Sequence, residues 1–300
     1  MVPTTAAQPE VTIVRPKLPD DVFFQDPLAI AANRTRVPGL GKPTETVRTT
    51  EPGATGEPAT ATETVSDAPV DWAALLPAEL LVAEANRIRE RFTPKLASVA
   101  TFNSSLLDVP PYAAELAALG GIATEHGGNI PWKTNAKYVR DLSAEMIADQ
   151  LQRGQKSYEQ VKVPFDKISL LLDGKRPEGL PEADDATDFA ISADFGFLMR
   201  RFEAAQNYLK TTGGSDAAFK QNAADLVRET RVLAALSKVI AHDDHGYGDD
   251  AKFQGYANAM TEASLAAATA AEKGDFAAFD LAASNLAQSC VKCHGDYRNN

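Results

Sequence analysis

The sequence predicts an all-α protein in which a flexible N-terminal segment precedes two tandem up-down four-helix bundles. From Asp71 onward, apolar residues recur at the three- and four-residue spacing of amphipathic helices, and no strand-like alternation is visible. Short glycine-rich or polar breaks separate these stretches. Short sequence echoes relate the first half of the helical region to the second. We therefore expect an N-terminal part (1–70), a first bundle (71–180) and a second bundle (181–300).

The first 70 residues differ in composition from the rest. Residues 51–70 read EPGATGEPATATETVSDAPV and have almost no apolar bulk. Because such a segment cannot bury enough apolar surface to offset its ordering entropy, we expect residues 1–70 to be an extended, flexible segment and linker. The short apolar patches VTIVRP and DVFFQDPLAI, separated by prolines, could dock on a bundle or on a partner.

Four helices are expected in each bundle. Those of the first cover about 73–100, 111–126, 134–153 and 155–173, and those of the second about 188–212, 216–242, 249–273 and 275–298. The sequence Thr212-Gly-Gly-Ser215 marks one clear break. Gly274 is expected to end one helix, and Asp275 to cap the next.

The last predicted helix has the most regular pattern. Its apolar positions follow the alternating spacing of three and four that buries one face in a bundle. These positions are Phe276, Phe279, Ala283, Leu286, Cys290, Cys293 and Tyr297. The preceding loops are short, which favours antiparallel neighbours and hence an up-down arrangement.

Cys290 and Cys293 are the only cysteines of the chain, and His294 follows directly. This is the attachment pattern of c-type haem: two thiolates add to the two vinyl groups, and the histidine ligates the iron. Competing interpretations are a redox dithiol, a zinc half-site or a chance spacing. A redox dithiol normally follows a strand, and a zinc site needs two more ligands, which the remaining histidines do not offer at finger-like spacing. We predict one covalent haem c.

The C-terminal sequence CVKCHGDYR resembles the motif CxxCHxxYR of the class II c-type cytochromes, the cytochrome c-prime family. The resemblance covers about 187–298; it is specific at the motif and otherwise rests on helix count and loop placement. It implies that Tyr297 packs beside the haem and that Arg298 lies near the proximal histidine. From the residues alone, Tyr297 is the next core position, and Arg298 is an exposed cation favoured by the helix dipole.

In that family, the first helix of the bundle supplies the residue facing the distal side of the iron. A methionine there gives a six-coordinate electron carrier, whereas leucine or phenylalanine leaves a site open to small gases. Here the corresponding helix carries Met199, with Phe195, Leu198 and Phe202 on the same face. Two alternatives therefore stay open: Met199 ligates the iron, or the apolar residues enclose an open site. The family's arginine one turn before its distal residue has no counterpart.

Four other potential ligands are not expected to bind the iron. Met260 lies at core spacing and is expected to be packing. His242 and His245, in the loop AHDDHGYG, could bind a surface metal or reach the iron, but we expect a solvated loop. The same expectation holds for His126 in the matching loop of the first half.

The internal repeat predicts a single haem. The sequence Leu-Ala-Ala-Leu occurs at 116–119 and at 233–236, and Gly154 and Gly274 each precede the last helix of their half. When these glycines are aligned, Leu170, Asp173 and Gly174 stand opposite the two cysteines and His294. The first half therefore lacks both attachment and ligation, and Pro164 is expected to kink its last helix.

No acid–base or nucleophile constellation stands out elsewhere, so we expect a non-enzymatic one-electron carrier that meets a redox partner protein. The alternative is a five-coordinate haem protein that binds nitric oxide or carbon monoxide. A third, weaker hypothesis makes the haemless first bundle the interaction module and the haem a structural staple. The resemblance also implies a possible homodimer formed through the first two helices of the bundle.

The formal net charge of −11 and the sequence pI near 4.9 argue against nucleic-acid binding. No apolar run approaches the roughly 20 residues of a membrane span, so none is expected. Because thioether attachment takes place outside the cytoplasmic membrane, we expect a periplasmic or otherwise exported protein. Residues 1–10 do not resemble a signal peptide, so we expect the sequence to begin at or near a processed terminus.

Overall fold

Helices form all the regular secondary structure between residues 69 and 298, which is the part of the chain that the computed structural model describes. The predicted all-α class is confirmed for this part. The prediction of a flexible N-terminal segment falls, apart from its last two residues, outside the described residues.

Between residues 69 and 180, the first half contains six α-helices and two short 3-10 turns. The turns are Leu106–Asp108 and Lys133–Asn135. The helices are α1 (Trp72–Leu75), α2 (Ala78–Lys95), α3 (Val99–Ser104), α4 (Val109–Glu125), α5 (Ala136–Glu145) and α6 (Gln155–Leu172). The predicted helix 73–100 is therefore divided: Pro77 caps α2, and Ser98 caps α3 through a capping box with Thr101. Pro164 lies buried within α6, which continues past it.

The second half also contains six α-helices. They are α7 (Phe189–Ser192), α8 (Phe195–Thr212), α9 (Asp216–Gln221), α10 (Ala223–Ile240), α11 (Ala251–Lys273) and α12 (Phe276–Tyr297). The predicted junction between the last two helices is confirmed. Gly274 has φ +69° and ends α11, and the Asp275 side chain accepts a hydrogen bond from the backbone N–H of Ala278 to start α12.

The helix bounds repeat along the chain. The helices α1, α2 and α3 recur as α7, α8 and α9 with identical lengths and a constant spacing of 117 residues (72 to 189, 78 to 195 and 99 to 216). The capping residues of the first and third pairs recur as well: Asp71 matches Asp188, and Ser98 matches Ser215. This recurrence supports the internal repeat that the sequence echoes suggested.

The two halves share one continuous hydrophobic core. In the first half, α2, α4, α5 and α6 pack in a closed ring. In the second, α10 packs against α8 and α11, and α11 packs against α12. Within the described residues, however, α8 and α12 do not pack closely on each other. Between the halves, α4 packs against α8, and α2 packs against α10.

A buried ion-pair cluster occupies this interface. Arg201 of α8 is 1% exposed, and its guanidinium donates to Glu115 of α4 at 2.6 and 3.1 Å and to Glu229 of α10 at 2.6 Å. Arg228 of α10 donates to Glu84 of α2 at 3.0 Å. Because buried charges must be paired to be tolerated, Glu115 and Glu84 of the first half help to neutralise the arginines of the second.

Candidate functional site

The three predicted haem-binding residues lie together on the last two turns of α12. Cys290, Cys293 and His294 all line a single cavity of about 430 Å³. Cys290 is 8% exposed, whereas Cys293 and His294 are half-buried, and both cysteines are free thiols. This volume lies within the range of about 300–1,000 Å³ typical of ligand and cofactor pockets.

One face of α8 forms another wall of this cavity. Phe195, Met199, Phe202 and Gln206 all line the cavity, and their spacing of four, three and four residues places them on one stripe of the helix. Met199 therefore lines the same cavity as Cys290, Cys293 and His294, from the opposite helix.

The residue Leu198, which was also predicted on the distal side, does not line this cavity. It is fully buried in the core, and it belongs to the stripe with Arg201 and Ala205. A single residue step turns an α-helix by about 100°. Because this second stripe of α8 is used to pack against the first half, Leu198 and Met199 point in different directions.

The helix α11 and the end of α10 complete the apolar lining. Their contributions are Ile240, Phe253, Ala257 and Met260. The prediction that Met260 is only packing is incomplete, because this buried thioether reaches the cavity as well as the core. The spacing of Phe253, Ala257 and Met260 on one helical face was visible in the sequence. The sequence did not show that this face borders a cavity.

Charged groups and one exposed apolar residue surround the opening. Arg200 and Glu203 extend from α8, and Arg298 follows the end of α12; all three are exposed and line the cavity. Val291, between the two cysteines, is 71% exposed. The cavity is therefore apolar inside and polar at its mouth, as is usual for sites that hold a largely apolar group.

Tyr297 lines the cavity one turn beyond Cys293. Its ring packs edge-on against Phe253 and Tyr247, with centroid distances of 5.4 and 5.1 Å. Its hydroxyl donates to the Asp250 carboxylate at 2.7 Å. Desolvation and this hydrogen bond raise the pKa of Tyr297 to about 12, so the phenol is neutral near neutral pH.

The two thiols differ in their surroundings. Burial raises the pKa of the Cys290 thiol to about 11. Burial also raises the pKa of Cys293, and the nearby charge of Asp296 acts in the same direction. In the folded chain without a bound group, both side chains are therefore thiols at neutral pH, and neither is an activated nucleophile of the redox-dithiol type.

The expectation of a solvated histidine loop was wrong for His245 and for His126. His245 is 5% exposed, and its ring lies 5.7 Å from that of Phe195, a residue of the cavity wall. His126 is 1% exposed, and its Nε2 lies 2.9 Å from the carbonyl oxygen of Leu76. Both imidazoles fill gaps between helices, because the loops fold back onto the ends of the bundle rather than into solvent.

His242 is half-buried, stacked edge-on against Phe189 at 5.1 Å, with its Nδ1 3.0 Å from an Asp244 carboxylate oxygen. Among the described residues, no group of three or more His, Cys, Asp or Glu side chains converges in a way that would hold a metal ion.

Of the helices between residues 69 and 298, none is both long and apolar enough to cross a membrane. Comparison of the chain with protein-family models, with curated proteins and with solved structures found no match. The features of this chain that bear on its function are therefore the sequence motif and the geometry of this cavity.

Proposed function

We propose that this chain is a mono-haem c-type cytochrome that acts as a one-electron carrier in an exported electron-transfer chain. The observation that carries the proposal is the shared cavity: the two cysteines and the histidine of the attachment pattern line it together with the thioethers of Met199 and Met260. Two thioether-forming residues, one imidazole and an apolar enclosure form a donor set that fits haem c.

In this proposal, Cys290 and Cys293 would hold the group through thioether bonds, and His294 would ligate its iron. A haem c held in this way supplies a one-electron iron(III)/iron(II) couple. Phe195, Phe202 and the α11 residues would exclude water from the site. An apolar, water-free environment is one of the factors that set the reduction potential of a haem. The exposed mouth at Val291 offers a short route for an electron to a redox partner protein, and no catalytic chemistry is assigned to the chain.

We further propose that the helices form two tandem four-helix bundles, α2 with α4, α5 and α6, and α8 with α10, α11 and α12. Only the second carries the attachment pattern. The gap between α8 and α12 coincides with the cavity, whereas α2 and α6 in the first half are in contact. This difference is expected if the second bundle leaves room for a bound group and the first does not.

The proposed location is the periplasm or another exported compartment, because thioether attachment takes place outside the cytoplasmic membrane. A homodimer through α8 and α10 is a poor fit to this chain. In the described structure, those helices are already covered by α4 and α2.

The first experiment is co-expression of the chain with haem-attachment machinery, followed by a haem stain of a denaturing gel. Stain that stays with the wild-type polypeptide and is lost in Cys290→Ser/Cys293→Ser supports the proposed attachment. A wild-type chain that never retains haem refutes it.

The second candidate function is binding of nitric oxide or carbon monoxide, favoured by the aromatic wall of Phe195 and Phe202. Visible spectra of the oxidised and reduced protein, before and after carbon monoxide is added, separate the two functions. Sharp low-spin bands that do not change when carbon monoxide is added indicate a sixth ligand from the protein, and hence electron transfer. Broad high-spin bands that shift with the gas indicate an open distal site.

A further inference from the structure

The last turn of α12 is connected to the first turn of α11 by two side-chain links. Asp250 is the N-cap of α11, and its Oδ1 accepts hydrogen bonds from the backbone N–H groups of Lys252 and Phe253 at 2.8 and 3.2 Å. The second oxygen, Oδ2, accepts the hydrogen bond of Tyr297. One carboxylate therefore starts one helix and holds the end of another.

The neighbouring link is also a tyrosine–aspartate hydrogen bond, but here the aspartate lies on α12 and the tyrosine on α11. Asp296 accepts a hydrogen bond from the hydroxyl of Tyr256 on α11, and its carboxylate also lies 2.8 Å from the ammonium group of Lys252. Asp296 and Tyr297 are the second and third residues after His294. The turn that carries the proposed axial ligand is thus attached to α11 at two successive positions.

Helix ends fray unless side chains or packing hold them. The last helical residue of α12 is Tyr297, so the hydrogen bond from Tyr297 to Asp250 is made at a vulnerable end. Asp250 is itself fixed, because its cap hydrogen bonds tie it to the α11 backbone. A partner anchored in this way holds a side chain more firmly than a mobile surface carboxylate would.

We propose that Asp250 is a positioning residue: acting through the Tyr297 hydroxyl, it fixes the last turn of α12 and thereby the orientation of the His294 imidazole. Its relevance to a haem potential rests on the proposed function, but the restraint on His294 does not. A well-oriented imidazole is the general requirement of a tuned axial ligand.

Two variants isolate this hydrogen bond. Tyr297→Phe removes the hydroxyl but keeps the ring packing. Asp250→Ser keeps an N-cap acceptor, because serine caps helices about as well as aspartate, but removes the oxygen that reaches Tyr297. A matched control is Tyr158→Phe, which removes a hydroxyl that donates to the Leu96 carbonyl at 3.1 Å in the first half.

The first readout uses the haem-free full chain with Cys290→Ala/Cys293→Ala, studied by NMR relaxation. We expect the backbone order parameters of residues 294–298 to fall from about 0.85, typical of rigid backbone, toward about 0.6 in Tyr297→Phe and in Asp250→Ser. The double variant should fall no further, because both substitutions break the same bond. Tyr158→Phe should leave these values unchanged.

The second readout uses the haem-loaded chain. The reduction potential and the low-temperature EPR g values should shift in the same direction in both single variants and no further in the double variant. Unchanged order at 294–298 in both single variants would overturn the positioning role, even with a lowered melting temperature. Loss of order in a chain that retains no haem would uphold it and refute the proposed function instead.

Discussion

Glu84 and Arg201 occupy equivalent positions of the two halves, 117 residues apart, and they face each other in the buried interface. Glu84 Oε1 and Arg201 Nη2 are 3.8 Å apart, and the two side chains are 0% and 1% exposed. Equivalent residues meet in this way when related units pack about a two-fold axis. In such a position, two copies of one charged residue would repel each other, whereas the pair Glu84–Arg201 attracts.

Replacement of Arg201 should severely destabilise the fold. Glu115 is fully buried and Glu229 is 4% exposed, and each accepts a hydrogen bond from the Arg201 guanidinium at 2.6 Å. Arg201→Met leaves these carboxyl groups without a counter-charge, so the free energy of unfolding should fall by about 3–5 kcal/mol in urea denaturation. Lys220→Met, which removes an exposed ion pair with Asp216, is the control and should have little effect. A loss no larger than the control's would contradict the buried network.

Close approach of α4 and α5 depends on Gly120. A Cβ atom at this position would lie 2.5 Å from the backbone nitrogen of Arg140 and 2.8 Å from its Cα. Gly120→Ala should therefore lower the free energy of unfolding by about 1–3 kcal/mol, because backbone must move to relieve the contact. Gly255→Ala in α11 is the matched control: no described atom lies within 4 Å of its added Cβ, so helix propensity should raise stability by about 0.5–1 kcal/mol. Equal effects of the two substitutions would contradict this packing.

The haem-free protein should show two cysteines of unequal reactivity. Cys293 is half-buried, whereas Cys290 is buried with its pKa raised to about 11. Iodoacetamide at pH 8 should alkylate Cys293 first, as followed by peptide mass spectrometry. The rate at Cys290 should rise about tenfold per pH unit as far as about pH 11, because the thiolate is the nucleophile. Unfolding in guanidinium should make the two rates similar, and faster labelling of Cys290 in the folded chain would contradict the assigned burial.

The burial of His245 should make the loop 241–250 sensitive to acid. Burial lowers the pKa of His245 below its usual value of 6.5. Below pH 6.5 the unfolded chain therefore binds a proton that the folded chain resists, and the free energy of unfolding falls as the pH drops toward the lowered pKa. His245→Phe, which can still pack against Phe195, should remove this component. Denaturation curves of both proteins at pH 7.5, 6.5 and 5.5 give the free energies of unfolding. If the difference between wild type and variant is the same at all three pH values, His245 does not cause the acid sensitivity.

The sixth ligand can be assigned by comparing the two thioethers that line the cavity. If Met199 ligates the iron, Met199→Leu should lower the reduction potential sharply and convert the spectrum to high-spin, while Met260→Leu leaves both nearly unchanged. Potentiometry with visible spectra measures the two effects. An unchanged potential in Met199→Leu with a lowered one in Met260→Leu would transfer the role to Met260. Unchanged values in both would exclude thioether ligation.

Local signals predicted several of the helix junctions, although the predicted helices 188–212 and 216–242 are each divided in the structure. Asp275, Gly274 and Ser215 act on their immediate neighbours, so the junctions they mark could be inferred before any tertiary contact was known. The stripe of α12 was also predictable, since Phe279, Leu286 and Cys290 are buried as a three- and four-residue spacing requires. Division of the predicted helix 73–100 at Pro77 and Ser98 was missed, although both residues are ordinary helix boundaries.

Residues whose role depends on what lies opposite could not be predicted. Leu198 and Met199 were grouped together because a wide apolar face does not reveal which part of it meets which neighbour. The packing of α4 on α8 separates them: Leu198 lies in the core and Met199 at the cavity. His245 and Met260 were misjudged for the same reason, since a polar loop and a core position both happen to adjoin the cavity.

By itself, the sequence determined the helical class, the attachment pattern at Cys290, Cys293 and His294, and the lack of that pattern in the first half. These properties depend on residue identity and on spacing along one helix, which local geometry fixes. Only the tertiary structure decided that α8 and α12 stand apart around a cavity, that Asp250 holds Tyr297, and that Glu84 meets Arg201. Each of these contacts joins residues that are distant in the chain, so the packing of whole helices decides them.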